Sequence, residues 1–413
     1  MKITGCDFLP IEGGWYLDDK AAIESDAVSD YYLLKGKPKT KGFRSVREPG
    51  SGIGVLLRLE TGQNVYGEGT SVTYAGAAGR DPILRLQDLD SGLRQHLSNL
   101  LIGNKVTDFL PLCDAIENLS YMGNKLHTGL RYAVSQALLE GLALALECTK
   151  MESLAEILGV TPLTERLKFG IQGGEDRYVS VDKAIYRRVD AFPHALIHNE
   201  ERDLGKNGDS LVSYTKWIKN RLAEHGIEES YHPTIHFDCY GTLGRAFNGD
   251  VGKVADYIVR LEKTVSPYRL QIESPIEMDS QSSQITSLGN LKNNLSKLDS
   301  KVTLIADEWC NTLEDVIRFS EAGVVHMIQV KMPDLGAITQ SAKAVMEIKQ
   351  RGLLAYLGGS CNETDLNAKN TVHVALATSA DQVLAKPGMG VDEGISIMRN
   401  EESRIRALIK PSI

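Results

Sequence analysis

Long hydrophobic runs are missing from this chain of 413 residues. Its most apolar long stretch, residues 129–146, is interrupted by Arg131, Gln136 and Glu140. That predicts a packed helix and excludes a membrane span. Basic blocks and basic-aromatic stripes are also missing, and the net charge is a mild −8. Nucleic acid is therefore excluded as a partner. The six cysteines (Cys6, Cys113, Cys148, Cys239, Cys310, Cys361) show no C-x-x-C pair and no zinc-like spacing. In a chain this long they read as free thiols in a reducing compartment. The opening stretch M-K-I-T-G-C-D-F-L-P lacks the apolar core of a secretory leader, so a cytoplasmic enzyme is expected. No Gly-rich phosphate turn follows an early strand. G-M-G-V-D-E-G (388–394) comes after the last strand-like run and lacks the full dinucleotide spacing.

What is present is ordinary for a soluble globular protein: 42% apolar and 24% charged residues. The length suggests about two or three domains. Residues 54–70 read as two strands around the turn at 61–64. A Gly-rich stretch, 73–82, follows. Helical spacing then recurs near 84–102, 108–118 and 128–148. We read 1–160 as an α+β N-terminal capping domain.

After residue 160 the pattern changes. Short apolar runs at 167–172, 192–197, 234–238, 269–273, 302–307, 326–331, 353–359 and 382–386 alternate with amphipathic segments such as 254–263 and 341–352. Eight strand–helix units predict a (β/α)8 TIM-type barrel over 161–413. An open doubly wound sheet is the weaker alternative, because it lacks its phosphate turn.

Chemistry in such a barrel gathers at the C-terminal ends of the strands. Three successive runs end in carboxylates, Asp238, Glu273 and Asp307. Side by side they would repel unless a cation sat among them. An all-oxygen set suits Mg2+ or Mn2+ better than zinc. Glu308 and Asp315 fall off the spacing and read as outer support or a helix start.

The next run ends on Lys331, although lysine is among the residues least often buried. It is either a salt-bridging rim residue or a general base. As a base it must lose its proton near neutral pH. A drop of about three pKa units costs roughly 4 kcal/mol, which burial and a nearby dication can supply. A lysine facing a carboxylate-bound dication suits proton removal α to a carboxylate. Gln329, two residues back, faces the same side of the strand. His194, at the second run, is either a core histidine or a second acid/base or substrate ligand opposite Lys331.

At these residues the chain resembles methylaspartate ammonia-lyase, of the enolase superfamily. The resemblance is carried by Y-A-G-A-A-G-R-D-P, Q-G-G-E-D-R-Y, P-H-A-L-I, H-F-D-C-Y-G-T, I-E-S-P, A-D-E-W-C-N-T, Q-V-K-M-P-D-L-G, G-G-S-C-N-E-T and Q-V-L-A-K-P-G-M-G-V-D-E-G, between residues 74 and 394. It implies reversible elimination of ammonia from L-threo-3-methylaspartate to give mesaconate, within glutamate catabolism. It implies Mg2+, a monovalent activator such as K+, and a homodimer. Asp238, Glu273 and Asp307 match the metal ligands, and Lys331 the base at C3. His194 matches the opposing residue, which contacts the metal-bound carboxylate and serves the other C3 configuration. Gln172 and Gln329 match substrate hydrogen-bond donors, Ser360 and Cys361 the loop at the second carboxylate, and Leu384 a wall near the substrate methyl.

The chain departs from the family pattern at Ser360, where Thr is expected, at Gly170, where an aromatic lies one residue earlier as Phe169, and at Thr73, where Gln is expected. These changes bear on substrate scope rather than on the chemistry. Two other readings are set beside the lyase: another proton-abstracting enzyme of the superfamily, such as an acid-sugar dehydratase or a racemase, and a catalytically silent binding barrel. Dehydratases and racemases usually carry a Lys-x-Lys or His-Asp pair, and here Gln329 precedes Lys331 and His194 stands without a lysine pair.

Overall fold

The alternating runs close into a barrel in the computed structural model, which describes all residues except 31, 78, 175, 226–229, 389 and 410–413. Ala78, Glu175 and Met389, which belong to the family-like motifs, thus lie outside the described residues. The eight barrel strands are, in chain order, Phe169–Gly170, Ala191–Leu196, Thr234–Asp238, Arg269–Glu273, Thr303–Ala306, Met327–Val330, Leu354–Leu357 and Gln382–Leu384. Each pairs in parallel with the next, and the eighth pairs with the first. Seven of the eight fall within the expected runs, and the second begins one residue before its run, at Ala191. Both faces of such a strand are covered, which is why these runs are apolar without alternation.

The helices between them form because their apolar residues recur at helical spacing and their first turns are capped. In Val251–Val265, Asp250 accepts from the amides of Gly252 and Lys253, while Val254, Ile258, Leu261 and Val265 are buried. Each such side chain contributes about 1.5–3 kcal/mol of burial. Thr312 and Asp315 form a capping box at Leu313–Ala322, so Asp315 is the helix start that its position suggested.

The N-terminal domain is a three-stranded antiparallel sheet backed by helices. Its strands Ile3–Asp18, Arg47–Leu59 and Asn64–Thr70 pair in that order. The last two enclose the expected turn, with Leu57 opposite Val65. The helical region near 84–102 is shorter than its periodicity suggested: a single turn at Leu86–Asp88 precedes the helix Ser91–Leu101. Asp90 caps that helix by accepting from Leu93 N–H, which fixes its start. Helix Thr128–Leu146 lies between sheet and barrel and is buried along most of its length. Its Gln136 donates to the Glu68 carbonyl at 2.6 Å and accepts from Asn367 and Asn370 of a barrel helix at 3.0 and 2.7 Å. One satisfied side chain therefore ties sheet to barrel and sets how the N-terminal domain sits over the strand ends. All six cysteines are free of disulfides.

Candidate active site

Asp238 and Glu273 are the last residues of adjacent strands and stand directly opposite each other. Asp307 follows the next strand by one residue, and Lys331 follows the strand after that. All three carboxylates are buried. Lys331 Nζ donates to Asp307 Oδ2 at 2.5 Å. Glu308 joins the cluster and accepts from Ser274 Oγ.

The electrostatics record the crowding. Burial, then the charges of Glu273, Glu308 and Asp307, push the Asp238 carboxyl well above its ordinary range. Burial and Asp307 likewise raise Glu308. Burial, the largest single influence, pulls Lys331 towards neutrality, but Asp307, Glu308 and Asp334 together outweigh it and hold the ammonium above its usual value. Arg80, brought from the N-terminal domain, opposes that effect. Arg80 Nε donates to Asp334 Oδ2 at 3.0 Å, in the turn that starts at Lys331. With Asp334, five acids thus stand with one lysine and one arginine. An acid-rich, largely buried oxygen set of this kind fits a hard dication, which would relieve the repulsion that Asp238 registers.

The opposite side of the mouth is built differently. At His194 the second strand carries an extra residue: the pairing jumps from Pro193–His236 to Ala195–Phe237. His194 takes φ of 49°, as a bulge residue does, and the bulge re-aims its side chain. Its Nε2 lies 3.1 Å from Glu273 Oε2, and His236 Nε2 lies 2.9 Å from the same oxygen. The two rings meet edge to face with centroids 4.4 Å apart. Burial, against which His194 and His236 prevail, would raise Glu273; the pair holds its carboxyl well below the ordinary range. Burial lowers His236 to about 4. An ionised carboxylate only accepts, so both imidazoles donate to Glu273.

Among the described residues, the set of three possible ligand atoms within 4.8 Å of one another is His194, His236 and Glu273, and Asp238 and Asp307 stand outside it. Because both Nε2 atoms are engaged as donors to the glutamate, we read this set as a hydrogen-bonded triad that orients Glu273. Sequence reasoning missed His236. Its signal was available, since it lies two residues before Asp238 and so shares its face of the strand.

Of the remaining expected residues, Gln329 bonds to the acid cluster, and the others lie at the ends of neighbouring strands or on the loop after the seventh strand. Gln329 Nε2 donates to Glu273 Oε1. Cys361 Sγ donates to Gln172 Oε1, and burial raises the Cys361 thiol to about 12. Ser360 N–H donates to Glu363 Oε2 at 2.8 Å. Leu384 packs with Ile305, Met327 and Tyr356 in an apolar patch inside the barrel. Sequence reasoning gave no role to Arg80, Glu363 or Lys386.

Two family profiles cover nearly all of this architecture. The one described as methylaspartate ammonia-lyase N-terminus matches residues 1–159, and the one described as methylaspartate ammonia-lyase C-terminus matches 163–411. The chain belongs to the methylaspartate ammonia-lyase family. It is 43% identical to methylaspartate ammonia-lyase 1 of Carboxydothermus hydrogenoformans over 99% of this chain and 97% of that protein. Its structure is similar to that of the Citrobacter amalonaticus methylaspartate ammonia-lyase containing (2S,3S)-3-methylaspartic acid. That likeness has a TM-score of 0.96 at 41% identity, over 99% of both chains. It is also similar to a Mg complex of β-methylaspartase from Clostridium tetanomorphum, with a TM-score of 0.94 at 40% identity over 99% of both chains. A carbon-nitrogen lyase with an eight-stranded parallel barrel and a divalent metal site is thus the family frame for this chain.

Proposed function

We propose that the protein reversibly eliminates ammonia from L-threo-3-methylaspartate to give mesaconate. The reading rests on one observation: the Lys331 ammonium lies 2.5 Å from Asp307 beside Asp238 and Glu273, at successive strand ends, in a chain whose full length matches this family. In the reaction Lys331, as the free amine, takes the C3 proton. The C3–H electron pair becomes the C2–C3 double bond, and the C2–N bond breaks to release the amino group as ammonia. In this reading Asp238, Glu273 and Asp307 would hold Mg2+, which supplies charge stabilisation to the substrate carboxylate as negative charge develops on it. His194 faces Lys331 across the mouth and acts on the opposite face of C3. Gln172 and Gln329 hydrogen-bond the substrate, Ser360 and Cys361 hold its second carboxylate, and Leu384 meets its methyl group.

Finer parts of the reading go with this one. They are a division of the chain into 1–160 and 161–413, Mn2+ as a substitute dication, K+ as an activator, a homodimer, and a cytoplasmic setting within glutamate catabolism. No helix among the described residues is long and apolar enough to cross a membrane. A dehydratase or racemase reading is less favoured, since the relatives matched over the whole length carry the lyase name.

The test is growth of the ultraviolet absorbance of a conjugated diacid when threo-3-methylaspartate and Mg2+ are supplied, together with stoichiometric ammonia. Absence of both at saturating Mg2+ overturns the proposal. Exchange of deuterium into a candidate acid without ammonia release would favour the racemase reading instead.

A further inference from the structure

The loop after the seventh barrel strand, 358–364, is held from beneath by a buried ion pair that the reaction itself does not use. Lys386 and Glu363 are both fully buried. Lys386 Nζ donates to the Gly358 carbonyl at 2.7 Å, to Glu363 Oε1 at 3.1 Å and to Thr371 Oγ1 at 3.4 Å. The other oxygen of Glu363 accepts from Ser360 N–H at 2.8 Å. Each charge therefore grips the loop backbone as well as its partner. Gly359 spans the two grips, and a β-carbon there would sit 1.9 Å from Glu363 Oε2 and 2.5 Å from Lys386 Nζ.

The far side of the loop is held by the N-terminal domain. Asn362 Nδ2 donates to the Ser71 carbonyl at 2.8 Å, and its own carbonyl accepts from Gly14 N–H at 3.0 Å. The Asn362 amide fills a slot that exists because Gly13 and Gly50 lack side chains: added β-carbons would meet its Oδ1 at 1.9 and 1.7 Å. The Cys361 carbonyl accepts from Gly388 N–H at 2.8 Å. Between these anchors lie Ser360 and Cys361.

We propose that Lys386 and Glu363 are positioning residues for the substrate, acting through the backbone at 358–361 to hold Ser360 and Cys361 against its second carboxylate. The inference rests on the functional reading above, which assigns that carboxylate to this loop. A buried ion pair contributes little net stability compared with apolar residues of equal volume, so packing alone does not explain it. What apolar residues cannot supply are the acceptor for Ser360 N–H and the donor to the Gly358 carbonyl.

The test compares Lys386→Met, Glu363→Gln and the double variant Lys386→Met/Glu363→Leu in the full-length protein, with Mg2+ varied up to saturation. The readouts are melting temperature, the Mg2+ activation constant, and kcat and KM for threo-3-methylaspartate. We expect Lys386→Met to raise KM by about 10-fold or more, with a smaller change in kcat and an unchanged Mg2+ constant. The double variant should recover melting temperature but not KM. Glu363→Gln, which keeps an oxygen for Ser360 N–H, should fall between wild type and the double variant. A KM that recovers together with melting temperature in the double variant, or that never rises, overturns the positioning role while wild-type turnover still stands. A wild-type protein that releases no ammonia overturns the functional reading itself, and this inference with it.

Discussion

Two lysines stand at barrel strand ends, and each touches a carboxylate, yet they sit in opposite kinds of surroundings. Lys331 keeps 19% of its side chain exposed beside an almost covered Asp307, at the edge of a cluster with more acids than bases. Lys386 and Glu363 are sealed, at 1% and 0%, with backbone and hydroxyl partners filling the remaining sites. The first pair has access to a substrate, and the surplus negative charge that keeps its ammonium protonated is charge that a bound dication would offset. The second has no access and no surplus. An ion pair by itself says little about role. The neighbouring charge and the route to solvent decide whether a lysine can act as a base or only as a tether.

The largest expected effect separates them by activity. Lys331→Ala should lower kcat/KM for threo-3-methylaspartate by about 10²- to 10⁴-fold, with little change in the melting temperature of the Mg2+-loaded protein. Next comes stability. Lys386→Met leaves Glu363 buried without its counter-charge and should cost about 3–5 kcal/mol in denaturant unfolding, far more than Lys331→Ala. If the two variants exchanged these signatures, the roles of the two lysines would be reversed.

A smaller effect sharpens it through pH. Burial and Asp307 raise Glu308 to about 7 in the folded chain, whereas an unfolded glutamate titrates near 4.5. Below that unfolded value both states hold the proton, and the folded state keeps its full advantage. As pH rises towards 7, the unfolded chain ionises first and metal-free stability falls. Melting curves of the metal-free protein between about pH 4.5 and 7 should show this decline. Glu308→Gln should flatten it, and added Mg2+ should oppose it.

The barrel was legible because each of its strands is a short apolar run closed by polar or turn residues, and 234–238, 269–273 and 302–307 also end on an acid. Ile3–Asp18 was not seen as a strand because its burial pattern is mostly half-exposed, with only its ends covered. Lys150–Leu158 was missed although its capping box, Thr149 with Glu152, is readable in the sequence. In the site, Asp238, Glu273, Asp307 and Lys331 announced themselves as charges at the ends of apolar runs. His236 did not, because a histidine inside a strand looks like core until its partner is known. Arg80, Glu363 and Lys386 depend on contacts between residues far apart in the chain: Arg80 meets Asp334 only across the domain boundary, and Lys386 meets Glu363 only because the seventh and eighth strands are neighbours. The bulge at His194 is also invisible in the sequence, since it is set by pairing with the third strand.

Everything in the proposed reaction turns on Lys331 removing the C3 proton. Deuterium exchange at C3 of threo-3-methylaspartate in D2O, followed by NMR with Mg2+ saturating, tests it most directly. Wild-type protein should exchange that proton and Lys331→Ala should lose the exchange, while erythro-3-methylaspartate still exchanges through His194. Exchange of the threo substrate at the wild-type rate in Lys331→Ala would contradict it.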